Sequence, residues 1–194
     1  MKLYFVRHPE TEFNKKKLVQ GSTDSPITKR GMQQLKKLTL RLRKEDFDEI
    51  ISSPSIRALT TAETINKYHN LKIKVEPLIR ERDYGIYEGK KESSCIWETV
   101  NAPWHLLKPK NGESPNDVFQ RAKKFLQKIK NSNHEKILVS SHGRILSMIF
   151  GILKNLKIEK TRDIKPKNTS LTIVELKKDG TAKFLLFDSV KHLK

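Results

Sequence analysis

Leu3-Tyr4-Phe5-Val6 is an apolar run that stops at Arg7-His8-Pro9, and this junction constrains the fold more than any other stretch. A strand that is apolar at successive positions is buried on both faces, as in sheets covered by helices. Pro9 has no N–H and ends the pairing. Arg7 and His8 are thus delivered to the carboxyl end of a buried strand. In open α/β sheets that end faces the crevice where ligands bind.

The rest of the chain supplies the scaffold. Residues 13–26 are polar with Gly, Ser and Pro, and predict a loop. A helix is expected from Ile27-Thr28, with Met32, Leu35, Leu38 and Leu42 at helical spacing. Asp48 to Ser52 predicts a short strand, and Pro54 the first turn of a helix to about His69. Leu71 to Val75 alternates as an exposed edge strand does. Residues 77–113 show no sustained period, and an insertion of that kind is characteristically a lid or binding loop. It holds a short helix near Ser93 to Val100. Ser114 to Asp117 is a capping box opening a helix with Val118, Ala122, Phe125 and Ile129 on one face. Lys136 to Ser140 predicts a buried strand ending at Ser141-His142-Gly143, followed by an apolar helix over Ile145 to Leu153. Ser170 to Leu176 and Lys183 to Asp188 flank Asp179-Gly180 as a hairpin. The expected class is α/β: a three-layer α/β/α sandwich with a mostly parallel central sheet, an antiparallel C-terminal hairpin and a short lid. The expected organisation is a single domain over 1–194, with the lid at about 86–113.

Composition narrows the function classes. The chain has 40 basic and 22 acidic residues, a net charge of +18. The basic residues are spread, at Lys15 to Lys17, Arg41 to Lys44, Lys123 to Lys130 and Lys154 to Lys167. Aromatics make up 7% and do not interleave with them. That pattern predicts a solvated Lys-rich surface and anionic small substrates rather than a nucleic-acid stacking platform. No apolar run is long enough to span a membrane. The N-terminus enters a strand without a signal-peptide segment, and one cysteine, Cys95, fits a reducing cytoplasm.

Three strand ends carry groups that chemistry can use. One gives Arg7 and His8. A second gives Ser52-Ser53-Pro54, with Arg57 one turn into the next helix. A third gives His142-Gly143 before a helix. In parallel neighbours these groups converge. Two guanidinium forks and a helix start favour phosphate oxygens, and a histidine among them can attack phosphorus. The leaving oxygen then needs a proton donor; Glu81 and Asp83 are the nearest candidates. Two histidines can also bind metal, but no His or Cys pair here has zinc spacing, and the arginines repel a cation. His69, His105, His134 and His192 read as structural. Tyr84, Tyr87, Trp97 and Trp104 read equally as lid core or pocket wall.

Together these stretches resemble the histidine phosphatase superfamily, also called the phosphoglycerate mutase-like family, over almost the whole chain. The resemblance rests on Arg7-His8-Pro9-Glu10-Thr11 with Asn14 and on Gln20-Gly21, Asp24, Pro26, Thr28, Gly31 and Gln34. It continues in Ser52-Ser53-Pro54 with Arg57-Ala58 and Thr61-Ala62, and in Glu81, Tyr84-Gly85 and Glu88-Gly89. Gly112-Glu113-Ser114 and Ser141-His142-Gly143 complete it. It implies His8 as nucleophile, with Arg7, Arg57 and His142 on the phosphoryl oxygens. Glu81 becomes the acid and then the base. Asn14, Gln20, Gly21, Tyr84 and Gly143 line the substrate site, and no metal or other cofactor is needed. Two residues depart from the family's usual pattern. Pro9 replaces the usual glycine and removes an N–H. Arg144 stands where a small or amide residue is commoner, placed for a substrate contact or a helix-end cap.

The implied function is a metal-independent phosphomonoesterase acting on small phosphorylated metabolites. The runner-up is a phosphoglycerate mutase, which needs fixed cations for a second acidic group. Residues 90–113 contain no arginine, which favours hydrolysis. A basic nucleic-acid-binding module is the alternative from another class. Neither the particular substrate nor the oligomeric state is legible.

Overall fold

The computed structural model describes residues 1–95, 102–177 and 179–194. The opening apolar run is β1 (Lys2–Arg7). A one-turn helix, α1 (Glu12–Lys15), interrupts the segment expected to be loop; the Thr11 hydroxyl and the Asn14 side chain cap it reciprocally. This Thr-x-x-Asn pattern is a capping box with an amide at its far end. α2 (Lys29–Leu42) follows, with Thr28 as N-cap and the Gly31 N–H donating to its Oγ1 at 2.9 Å. β2 (Glu49–Ser52), α3 (Ile56–Asn66) and β3 (Ile73–Val75) come next. α4 (Pro115–Lys130) carries the expected Ser114/Asp117 capping box. β4 (Lys136–Ser141), α5 (Gly143–Leu153), β5 (Leu171–Leu176) and β6 (Ala182–Ser189) complete the order.

The strands form one sheet in the order β3-β2-β4-β1-β5-β6. β3, β2, β4 and β1 run parallel, and β5 turns back against β1 and pairs antiparallel with β6. Alternate residues of β1 enter different cores. Leu3 and Phe5 pack with Ile137, Val139 and the faces of α4 and α5. Tyr4 and Val6 pack with Ile50, Leu138 and the faces of α2 and α3. The sheet is therefore sandwiched between two helical layers, as the sequence predicts. β3 is the edge strand on the parallel side, and its side chains are largely exposed.

Between β3 and α4 the chain makes short 3-10 turns, among them Glu92–Ser94 and Trp104–Leu106. The helix expected near Ser93 to Val100 lies largely outside the described residues, as does Trp97. Two contacts tie down the described part of this segment. Val19 pairs with Gly89 and Lys90: the Val19 N–H donates to Lys90 O and the Gly89 N–H to Val19 O, both at 2.9 Å. His105 Nδ1 lies 3.3 Å from Glu159, in a 3-10 helix (Ile158–Asp163) that follows α5.

Candidate active site

The sheet ladder continues past the ends of β1 and β2 and fixes the residues that follow. The His8 N–H donates to Ser141 O and the Ser53 N–H to Ser140 O, both at 3.0 Å. β4 lies between β1 and β2, so its C-terminal neighbour His142 falls between the other two strand ends. The rings of His8 and His142 stand 5.3 Å apart between centroids. The convergence expected from three strand ends is present.

His8 is buried, and its Nδ1 lies 2.8 Å from the Pro9 carbonyl. A carbonyl only accepts, so Nδ1 holds the proton and Nε2 keeps its lone pair. Burial, then the charges of Arg7 and Arg57, hold the ring well below the ordinary histidine pKa, which keeps it neutral. His142 is depressed in the same way, by burial first and then by Arg57, His8 and Arg7. Its Nε2 lies 2.6 Å from the Ser53 hydroxyl and 3.1 Å from that of Ser55. A serine hydroxyl donating there leaves the proton on Nδ1, which is buried without a hydrogen-bond partner. The pair thus combines a bare ring nitrogen on one side with an unused donor on the other.

The two loop acids have different surroundings. Asp83 turns back to the Gly85 N–H at 2.8 Å. Glu81 is buried and accepts three backbone N–H groups, from Arg82 at 2.8 Å, Arg144 at 3.0 Å and Ile145 at 3.2 Å. The last two belong to the first turn of α5. Those N–H groups were expected to take phosphate oxygens, but they hold the acid instead. The positive end of a helix is as suited to a carboxylate as to a phosphate.

Arg57 is 1% exposed and largely committed to protein oxygens. Nη1 meets Asp24 at 2.7 Å and the Thr23 carbonyl at 3.2 Å, and Nη2 meets the Gly21 carbonyl at 2.6 Å. Its Nε is buried and unpartnered. Asp24 also accepts the Ile56 N–H at 2.9 Å and so caps α3, whose own N-cap Ser55 makes no side-chain cap bond. Glu88 holds the same loop from the other side, accepting the N–H groups of Ser22 at 2.8 Å and Thr23 at 2.7 Å. Burial opposes its charge, but the Thr23 and Ser22 bonds outweigh that and lower its pKa. Gly21 has no room for a side chain: a Cβ would come within 2.5 Å of the Arg82 carbonyl.

Above these residues lies a cavity of about 700 Å³. Arg7, Glu81, Asn14, Gln20, Tyr84 and Gly143 line it. His8, Arg57 and His142 are buried and do not line it, and Gly21 accepts from Arg57 rather than joining the cavity wall. Asn14 Oδ1 is taken by the Asn168 amide at 3.0 Å, so the Asn14 NH₂ is what it has left to offer. Trp104 joins the wall, but Tyr87 does not. Sequence reasoning missed Arg162, Lys165, Lys167 and Asn168, which form one side of the cavity. Asn168 Nδ2 also donates to the His8 carbonyl at 3.0 Å, pinning the end of β1.

The model of the "Histidine phosphatase superfamily (branch 1)" matches residues 3–189. The chain belongs to the histidine phosphatase superfamily. It is 29% identical to phosphoserine phosphatase 1 of Hydrogenobacter thermophilus, over 91% of this chain and 87% of that one. It is 31% identical to a protein named "Probable phosphoglycerate mutase GpmB" in Photorhabdus laumondii, over 90% and 85%. A mutant phosphoserine phosphatase from Entamoeba histolytica, solved with phosphoserine, superposes with a TM-score of 0.86 at 25% identity, covering 100% and 99% of the two chains.

As a histidine phosphatase, this chain carries its two departures without disturbing the strand end. Pro9 sits in a chain with no cis peptide bond among the described residues, and its carbonyl is the acceptor that orients His8. Arg144 places its N–H on Glu81 and its guanidinium on the cavity wall, 5.5 Å from the Trp104 ring centroid. No described helix is long and apolar enough to cross a membrane.

Proposed function

We propose that this protein is a metal-independent phosphomonoesterase that hydrolyses small phosphorylated metabolites through a phosphohistidine at His8. The observation that carries the reading is the bond from His8 Nδ1–H to the Pro9 carbonyl, in a buried neutral ring flanked by arginines. It leaves Nε2 as the attacking atom. In the first step Nε2 bonds to phosphorus and the ester P–O bond breaks. Glu81 gives its proton to the departing alkoxide oxygen. In the second step Glu81 takes a proton from water, the water oxygen attacks phosphorus, and the P–N bond breaks. Phosphate leaves and the lone pair returns to Nε2. Arg7, Arg57 and the unused His142 Nδ1–H stabilise the equatorial oxygens, where charge accumulates. Asn14, Gln20 and Tyr84 shape the substrate side, with Gly143 beside Arg7; a Cβ at Gly143 would meet Arg7 Cζ at 3.3 Å. The reading takes the chain as a single domain whose segment at about 86–113 serves as a lid. A free cysteine, Cys95, supports a cytoplasmic setting.

The second reading is the mutase, and one part of the sequence case against it needs correction. The lack of arginine in residues 90–113 does not leave the cavity without arginines, because Arg144 and Arg162 reach it from α5 and from the segment after it. Hydrolysis is favoured because Arg162, Lys165 and Lys167 on the cavity wall are exposed, so the cavity is open to water. A nucleic-acid surface is disfavoured because the aromatic faces nearest the cavity already carry cations, Arg144 at Trp104 and Arg82 at Tyr84.

The test compares phosphate release with interconversion of 2- and 3-phosphoglycerate in one preparation, with and without chelator. We expect phosphate as the main product, no loss with chelator, and acid-labile, base-stable label on His8 that His8→Ala abolishes. Label on another side chain overturns the mechanism. Interconversion faster than hydrolysis by about a hundredfold, under ~3 kcal/mol of barrier, makes it a mutase.

A further inference from the structure

The cavity carries more positive charge than one phosphoryl group requires. Arg7, Arg82, Arg144, Arg162, Lys165 and Lys167 line it, against the carboxylates of Glu81 and Glu92. Some of these cations have structural work. Arg82 donates to the carbonyls of Glu113 at 2.8 Å and Leu107 at 2.9 Å, holding the lid end. Lys167 lies 3.7 Å from Asp188. Arg7 donates to the Pro166 carbonyl at 2.7 Å and adjoins Gly143 at the phosphoryl end. Arg144 and Arg162 differ from these. Their guanidinium carbons lie 5.5 Å and 6.0 Å from the centroid of the same ring, Trp104. Neither forms an ion pair among the described residues. Arg144 bonds the Tyr84 side chain, yet its Nε and Nη1 are buried without a hydrogen-bond partner. Buried donors left unmade cost free energy, and a ligand oxygen would satisfy them.

We infer that Arg144 and Arg162, arranged on Trp104, form a second anion subsite, so that the preferred substrates are phosphomonoesters bearing a further acidic group. The inference rests on the phosphomonoesterase reading and adds a substrate class to it. Two like charges on one ring repel each other unless an anion lies between them, and a guanidinium fork matches a carboxylate or a phosphate equally. Glu81 fixes the spacing, because its carboxylate accepts the N–H of Arg144 itself. The acid at the leaving oxygen and the cation for the substrate's far end thus stem from adjoining groups. The phosphoryl group sits toward Arg7 and His8, and the second acid sits one arginine side chain away.

The test uses three esters of equal carbon length: glycerol 3-phosphate, 3-phosphoglycerate and glycerol 1,3-bisphosphate. Binding is measured by calorimetry on the His8→Ala protein, where turnover is not needed, and kcat/KM on the intact enzyme. We expect the two esters with a further acidic group to be preferred over glycerol 3-phosphate by about tenfold or more, the worth of one charge-assisted hydrogen bond. Adding Arg162→Ala should bring that ratio close to one, and Arg162→Lys should keep part of it. Arg162 is exposed, so its variants should fold, and thermal melting checks this. Preference for the carboxylate or for the second phosphate alone identifies which acid the subsite takes. Equal binding of all three esters, or an equal loss for all three in Arg162→Ala, overturns the subsite. A failure of phosphohistidine formation overturns the hydrolytic reading alone, since the binding arm does not depend on it.

Discussion

Asp24 joins Arg57, the arginine proposed to bind phosphate, to the helix that carries it, and Asp24→Ala measures both contacts. The carboxylate sits 2.7 Å from Arg57 Nη1 and 2.9 Å from the Ile56 N–H. Loss of the cap costs about 1 kcal/mol, since Ser55 does not replace it. Stranding a buried guanidinium costs about 3–5 kcal/mol when no partner remains. Here the Asp24 side chain is 25% exposed, and the Gly21 and Thr23 carbonyls still accept from Arg57. We therefore take about 2 kcal/mol for that part, and about 3 kcal/mol in all. Asp24→Asn keeps an acceptor for the cap and loses the charge, so it should cost about 1–2 kcal/mol. Both variants release the loop that seats Arg57, and kcat/KM for p-nitrophenyl phosphate should fall about tenfold or more. Urea unfolding followed by tryptophan fluorescence gives the stability change. An Asp24→Ala protein within about 0.5 kcal/mol of the parent, the range of an ordinary surface change, would refute the assignment of Asp24 as counterion and cap.

Glu81→Gln should slow alkyl phosphates by about a hundredfold or more while sparing nitrophenyl esters, whose leaving oxygen needs no proton; equal losses measured on both would show that Glu81 only positions. For pH, both His8 and His142 have folded pKa values below the ordinary 6.5, so the unfolded chain takes up protons first. Their contribution is complete above pH 6.5 and declines as pH falls, by up to about 1.4 kcal/mol per pH unit for each ring. His142→Gln should flatten the stability–pH curve below that point, and an unchanged slope in urea titrations at two pH values would count against a buried neutral ring.

Much of the fold is legible because its signals are local. Leu3 to Val6 and Ile137 to Val139 are apolar at every position, and both are central strands. Ser114 with Asp117, and Thr28 before α2, cap helices that the sequence marks. Errors arise where a distant residue supplies the missing bond. α5 begins at Gly143 rather than Ile145, because Glu81, far away in sequence, satisfies its first N–H groups. Asp24 caps a helix that starts 32 residues later, which no spacing rule reveals. The basic run Lys154 to Lys167 lacks periodicity and reads as a solvated face. It becomes a cavity wall because the chain leaving α5 must return to β5 beside β1. The sole clue in the sequence is that topological position, since charge alone cannot separate a wall from a rim.

Pro9 has a consequence outside the folded state. Its ring restricts the backbone beside His8 before the protein folds, whereas glycine would leave the unfolded chain many more conformations. At a compatible site such restriction raises stability by about 0.4–1 kcal/mol without any new contact. The site is compatible, for the strand has already ended and the Pro9 carbonyl is already engaged with His8. The neighbour of the proposed nucleophile thus lowers the disorder that folding must remove at the point where that chemistry would demand least play.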